Sequence, residues 1–421
     1  MKHILALLAL FTLSLSTAAA QFGEVIYHYD GDMQVDVDSG EIAVDWRIDV
    51  LDDGASTITF LLGASLGNIT VDGDVASHQI APQGPFQAIV LELGPATSAG
   101  PREILLSYDG LLFPEPPAND INAISPDRVE LTVDGFWLPL DASFQGYLTA
   151  DLRVDVGAPW HGVANGSVER LPTGVRVINE EASLDIAFTL APAFHTTRFE
   201  NFTLYDLRET HGGIDRLTGA ASFCIDYLNA RYGVRDALPY AHFVIHRRVS
   251  SAYNRRSYIT LTDITETDDE RLTQFVCHEL AHHWSVGANF NTVENWLNES
   301  FAEYAGNMAL RDRFGEDAFI ERMGRYLSRI EDQDLPPIWV PGATDRRPYL
   351  VNYRAGPVAL WHLESWLGRP TFQTFMTRYM TEGIDTTPDL LAMLEDLAGE
   401  EARNWFQARL AMTGTDGWQS R

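Results

Sequence analysis

HELAHHWSVGANFNTVENWLNES, residues 278–300, decides how the C-terminal half of this 421-residue chain is read. Just upstream, Thr267-Asp268-Asp269-Glu270 has the form of a capping box, so a helix is expected to start there. Leu272, Phe275, Val276, Leu280 and Trp284 supply its buried face. On such a helix His278 and His282 stand one turn apart and project side by side, with Glu279 rotated partly away. Two neutral imidazoles beside a carboxylate suit a zinc ion whose water must lose a proton. Two surface histidines on an amphipathic helix would give the same spacing, so the reading turns on a third ligand. Glu294, Glu299 and Glu303 are within reach. Glu294 falls in the connection, where a ligand is poorly held. Glu299 opens a second helix beginning near Trp296, and Glu303 follows one turn later on the same face. Glu299 is therefore the expected ligand, and Glu303 the carboxylate that orients a zinc-bound histidine from behind. His283, rotated about 100° from His282, is expected to be a neighbour of the site and not a ligand.

Working outward, residues 24–197 read as β structure. Ile42, Val44, Trp46, Ile48 and Val50 alternate with smaller or polar residues, the period of a half-buried strand. Turn signals at Asp52-Asp53-Gly54, Asp72-Gly73 and Asp109-Gly110 separate further short strands, and FPEPPAND, 113–120, reads as a loop. Near Thr197 the pattern changes: Leu217 to Tyr232 has helical periodicity, FVIHRRV and SYITLTD read as strands, and helices dominate beyond residue 267. The first residues, MKHILALLALFTLSLSTAAAQ, combine a basic start, a short apolar run and a small-residue cleavage site, so residues 1–20 are expected to be a signal peptide. The expected organisation is then a β-sandwich or saddle over 21–197 and a catalytic domain over 198–421. No later stretch is long and apolar enough to span a bilayer, which predicts an exported protein, periplasmic or extracellular, with no transmembrane segment in the mature chain.

A formal net charge of −29 repels phosphate backbones and argues against a nucleic-acid partner. Cys224 and Cys277 could form a disulfide in an oxidising compartment or remain buried thiols, and spacing does not choose between them. Asn68, Asn165, Asn201 and Asn298 begin glycosylation sequons, the last inside the candidate site. Gly63-Ala64-Ser65-Leu66-Gly67 fits GxSxG, but a nucleophile elbow needs a helix after it, and the residues that follow read as another strand.

HELAHHW followed by WLNESFAEY resembles the paired motif of the aminopeptidase N-like gluzincins, usually HELAHQW and WLNEGFA. The resemblance implies one zinc per chain on His278, His282 and Glu299, with Glu279 as general base. Sixteen residues separate His282 from Glu299, a slightly shorter connection than is usual in that family. Tyr353-Arg354-Ala355-Gly356 is similar to the family's YxKG segment, which implies that the Tyr353 hydroxyl stabilises the oxyanion; Tyr349 is a nearby competitor. The likeness continues through 386–410 and, more loosely, through DRVELTVDGFWLPL and LAPAF in the β region. It implies an α+β multidomain fold, an N-terminal antiparallel β domain followed by a thermolysin-like, mainly helical zinc-peptidase domain, acting on a peptide or protein substrate.

Two departures bear on what is cut. Where the family carries a GAMEN-like strand whose glutamate binds the substrate's α-amine, this chain reads SSAYNRRSYITL, with Asn254 as the candidate substrate-binding residue. A neutral amide accepts a hydrogen bond but forms no ion pair with an ammonium group, and Arg255 and Arg256 would disfavour a cation if they faced the cleft. The family's large C-terminal helical domain is also absent from the sequence, which predicts an open cleft. The expectation is an aminopeptidase-like zinc metallopeptidase; the alternatives are an endopeptidase of the same fold, or a weakly active or inactive binding protein on a peptidase scaffold.

Overall fold

The computed structural model describes residues 25–51, 54–95, 100–115, 121–248 and 251–413. The leader expected at 1–20 and part of the proline-rich stretch lie outside them. Strand Glu41–Val50 alternates as its sequence demands, with Ile42, Val44, Trp46, Ile48 and Val50 buried and the intervening side chains mostly exposed. It is the fifth strand of a seven-stranded sheet ordered 167–171, 174–183, 147–155, 25–35, 41–50, 102–111 and 67–73. Every pair in that sheet is antiparallel except 25–35 with 147–155, which run parallel. Periodicity gave no sign of that pairing, because it joins strands more than a hundred residues apart. Two four-stranded sheets complete the β region: 140–141, 57–63, 86–93 and 75–83; and 161–164, 188–191, 128–131 and 123–125. Their shared core is closed by Trp46 and Trp137, bridged by Tyr108, whose hydroxyl accepts from Trp46 Nε1 at 2.8 Å and donates to the Trp137 carbonyl. Ser65 of the GxSxG sequence sits in a turn between two strands, and its hydroxyl donates to the Leu112 carbonyl at 3.0 Å. No helix follows it, so this is not a nucleophile elbow.

The first apolar core spans Tyr27 to Leu190 and the second Phe202 to Leu410. Strand His195–Arg198 straddles the expected boundary by pairing with Phe202–Asp206. That pair opens a five-stranded sheet ordered 195–198, 202–206, 241–245, 258–261 and 253–255, the three central strands parallel. Helix α1, Ile214–Tyr232, crosses over between the first two of those parallel strands. The remaining helices are α2 (Asp269–Ala281), α3 (Asn295–Phe314), α4 (Glu316–Ile330), α5 (Gly356–Leu367), α6 (Arg369–Thr381), α7 (Thr387–Ala398) and α8 (Glu400–Leu410). None of the described helices is long and apolar enough to cross a membrane.

The open question about the cysteines has an answer. Cys224 of α1 and Cys277 of α2 are disulfide-bonded, 53 residues apart in sequence. Closing a loop of that length removes about 4 kcal/mol of unfolded-chain entropy on the chain-entropy account. The bond fastens α2 one residue before His278.

Candidate active site

Helix α2 begins one residue later than the capping-box reading places it: Asp268 is the N-cap, accepting from Arg271 N at 2.7 Å. The helix ends at Ala281, which puts His282 at its C-cap. Helix α3 lies against α2 at very short range. A Cβ at Gly306 would meet the Gln274 carbonyl oxygen at 2.6 Å, so only glycine allows this approach. Glu299 and Glu303, in the first turns of α3, thereby reach the histidines of α2.

The donors converge. His278 Nε2 and His282 Nε2 are 3.3 Å apart, and Glu299 Oε2 lies 3.5 Å from the second and 3.9 Å from the first. Around a tetrahedral zinc with bonds of about 2.0–2.1 Å, donor atoms lie roughly 3.3–3.4 Å apart, so these three fit the ion. Glu299 Oε2 is buried and has no hydrogen-bond partner, the mark of an acceptor meant for something else. Donors of His278, Glu279 and His282 also lie within 4.8 Å of one another. Glu279 follows His278 directly on α2 and sits near the metal position without replacing Glu299.

The other ring nitrogens are held from behind. His278 Nδ1 faces Glu303 Oε2 at 2.8 Å, and His282 Nδ1 lies 3.1 Å from the Ser285 carbonyl. Both imidazoles therefore present Nε2 to the centre, as zinc ligands do. Burial disfavours a charged His278, but the Glu303 carboxylate overrides it and lifts the imidazole to about 9. Burial would raise Glu299, yet His282 and His278 hold it at about 2; burial keeps Glu279 above its ordinary value despite the same two histidines. Surroundings that favour a proton on this cluster favour a metal cation there too.

Tyr353 comes from a third element. It belongs to a π-helical turn, Val351–Ala355, in which Gly356 N–H reaches back to the Val351 carbonyl. A Cβ at Gly356 would meet Ser300 Oγ at 1.9 Å, so this glycine lets the turn close onto α3 beside Glu299. The Ser300 hydroxyl donates to the Asn352 carbonyl at 2.6 Å and ties the turn down. The Tyr353 ring stacks on His278, centroids 5.8 Å apart, and burial with the nearby Glu299 carboxylate raises its hydroxyl well above the usual phenol range.

Residues 252–407 match the peptidase family M1 domain. The chain aligns with aminopeptidase M1 of Arabidopsis thaliana, 30% identical over 149 residues, 32% of this chain and 17% of that protein. It also aligns with aminopeptidase N of Streptomyces lividans, 27% identical over 179 residues, 38% of this chain and 20% of that protein. The aligned stretch is thus no more than a fifth of the length of these curated relatives. The whole fold is similar to an M1 zinc metallopeptidase from Deinococcus radiodurans, with a TM-score of 0.70 at 17% identity over 92% of this chain and 94% of that one. An alanine mutant of that metallopeptidase has been solved bound to the substrate Tyr-Ser-Ala. Native yeast LTA4 hydrolase is similar as well, with a TM-score of 0.68 at 15% identity over 91% of this chain and 66% of that one.

Around the histidines the remaining candidates take other places. Glu294, the competing third ligand, turns away from the histidines: it accepts from Trp339 Nε1 at 3.0 Å and from Thr387 N at 2.8 Å, capping the start of α7. His283 Nε2 points to Asp236 Oδ2, 3.3 Å away. Asn298, the sequon residue, is buried with both amide atoms bonded to the Ala288 backbone, which leaves no room for a glycan. Asn254, on the edge strand Tyr253–Arg255, donates Nδ2 to the Glu279 carbonyl at 2.6 Å. Arg255 and Arg256 do not turn into the cleft to repel a cation. They pair with Asp185 and Glu181 of the β region, as Arg248 pairs with Glu130. Three groups around the site escaped sequence reasoning: Ser285, Tyr326 and Arg354. The first acts through a backbone carbonyl, which has no residue signature, and the other two meet the site only across helices.

Proposed function

We propose that this chain is a zinc-dependent metallopeptidase that hydrolyses peptide bonds with His278, His282 and Glu299 as metal ligands. The observation that carries the reading is the convergence of their three donor atoms on one point, with the Glu299 oxygen buried and otherwise unpartnered. A zinc ion held there would supply the Lewis acid that polarises the scissile carbonyl and acidifies the attacking water. Glu279 takes the proton from that water and later delivers it to the leaving amine, a role suited by a carboxylate that burial keeps basic. The Tyr353 hydroxyl donates to the carbonyl oxygen as it gains charge. Glu303 holds the His278 ring in place from behind. The tripeptide bound by the Deinococcus mutant supports a peptide substrate. The leader-like residues 1–20 and the Cys224–Cys277 bond support work outside the reducing cytoplasm.

A second reading concerns where peptides are cut. The Asn254 amide nitrogen is engaged by the Glu279 backbone and both following arginines are paired, so strand 253–255 offers a substrate amine no anionic partner. This favours a peptidase that does not demand a free N-terminus.

The test is a mixed peptide pool, with and without N-terminal acetylation, incubated with the zinc-loaded protein and read by mass spectrometry. Cleavage that stops on chelation and returns with zinc is expected, in both pools. Single N-terminal residues lost from free-amine peptides alone would show strict aminopeptidase action; no cleavage at all would defeat the peptidase reading. Glu299→Ala is expected to lose the metal, and parent-like zinc affinity in that variant would remove Glu299 from the ligand set.

A further inference from the structure

Arg354 follows Tyr353 in the π-helical turn, and its side chain is only 12% exposed. Its Nη1 donates to Glu303 Oε1 at 3.0 Å and to the carbonyl of its own neighbour Tyr353 at 2.6 Å. Its Nη2 donates to the Tyr349 hydroxyl at 2.6 Å. The guanidinium lies over the Tyr326 ring, 4.5 Å from its centroid, and the Tyr326 hydroxyl donates to the same Glu303 oxygen. Two routes lead from this one group to His278. Along the first, Glu303 receives Arg354 and Tyr326 on Oε1 and turns Oε2 to His278 Nδ1. Along the second, Tyr349 stacks on Tyr353 at 4.5 Å between centroids, and Tyr353 stacks on His278.

We infer that Arg354 is a positioning residue, fixing the His278 imidazole through Glu303 and the Tyr353 ring through Tyr349 and the turn's own backbone. A carboxylate with one donor removed can rotate about its χ angles, and a histidine ligand follows the partner of its second nitrogen. The planar fork is what lets one side chain serve Glu303 and Tyr349 together; a lysine, with a single compact ammonium, reaches one of them. The inference rests on the peptidase reading above.

The experiment compares Arg354→Met, Arg354→Lys and Tyr349→Phe with the parent, measuring zinc affinity by chelator competition, kcat and KM separately, and thermal stability. Arg354→Met is expected to weaken zinc by about 10–100-fold, the usual cost of losing a partner behind a metal ligand. Its kcat falls while KM changes little, since the substrate is not touched. Arg354→Lys is expected to regain most of the zinc affinity through Glu303 and little of the kcat. Tyr349→Phe, at a side chain 54% exposed, removes one hydroxyl without threatening the fold, and lowers kcat with zinc affinity unchanged. Zinc affinity and kcat like the parent's in Arg354→Met, or equal loss of all activity and stability in every variant, overturns the inference. If the parent itself binds no zinc, the peptidase reading falls and this inference with it; a working parent beside unaffected variants defeats the inference alone.

Discussion

Helix α3 runs through two buried charged clusters that are built differently. Towards its C-terminal end Arg311 forks onto Glu364 of α5, Nη1 to Oε2 at 3.0 Å and Nη2 to Oε1 at 2.8 Å, and Tyr304 donates to the same carboxylate. Both oxygens of Glu364 are supplied, so this cluster closes on itself and joins two helices. Towards the N-terminal end of α3, Glu299 Oε2 is buried without a donor while two imidazole nitrogens face it. Burial of charge alone therefore does not mark a functional centre, because the closed cluster is as deeply buried as the open one. What distinguishes the open one is unused donor capacity aimed at a common point.

That contrast can be broken by substitution, beginning where the effect is greatest. Glu279→Gln is expected to cut kcat by about 10²–10⁴-fold, the range for a lost general base, with zinc content unchanged. Steady-state kinetics beside metal analysis reads both, and near-parent turnover would remove Glu279 from the mechanism. Glu364→Ala leaves the Arg311 guanidinium buried without its counter-ion and is expected to cost about 3–5 kcal/mol in denaturant unfolding, with folded molecules still binding one zinc each. Zinc loss at unchanged unfolding midpoint would reverse the roles assigned to the two clusters. The smallest effect belongs to a pair near the surface of the β region. Arg176 Nε donates to Asp151 Oδ1 at 2.7 Å, and that hydrogen bond holds the carboxyl below its ordinary value. A folded value below the unfolded one means the pair stabilises at neutral pH and loses that contribution as pH falls through the folded value. Asp151→Asn is expected to cost less than about 1 kcal/mol at pH 7 and to flatten the acid side of the stability profile. A larger loss would show that partial exposure screens this pair less than supposed.

Much of this was legible in residues 278–300. The one-turn spacing of His278 and His282 and the start of α3 near Trp296 bring the expected donors together, and Glu303 lies behind His278 as its place on the helix suggested. The choice between Glu294 and Glu299 was harder, and it rested on which acid sits on a rigid element. The structure adds that Glu294 is engaged elsewhere, by Trp339 and Thr387, the latter 93 residues along the chain. Asn254 was readable as a departure from a motif, but its amide bond to the Glu279 carbonyl was not. Arg255 and Arg256 carried no sign of partners seventy or more residues upstream.

The sequence by itself determined what depends on near neighbours. The alternation of 41–50, a helix starting near Asp268 and the side-by-side histidines follow from periods of two and 3.6 residues, which are properties of short backbone segments. The tertiary structure alone decided the parallel pairing of 25–35 with 147–155, the Cys224–Cys277 bond, the role of Glu294 as a helix cap and the reach of Arg354 to both Glu303 and Tyr349. Each of these joins groups by direction as well as distance. Direction is set only when helices and sheets have packed, because a side chain's partner across a core is selected by the rotamer and the register of elements that no local period specifies.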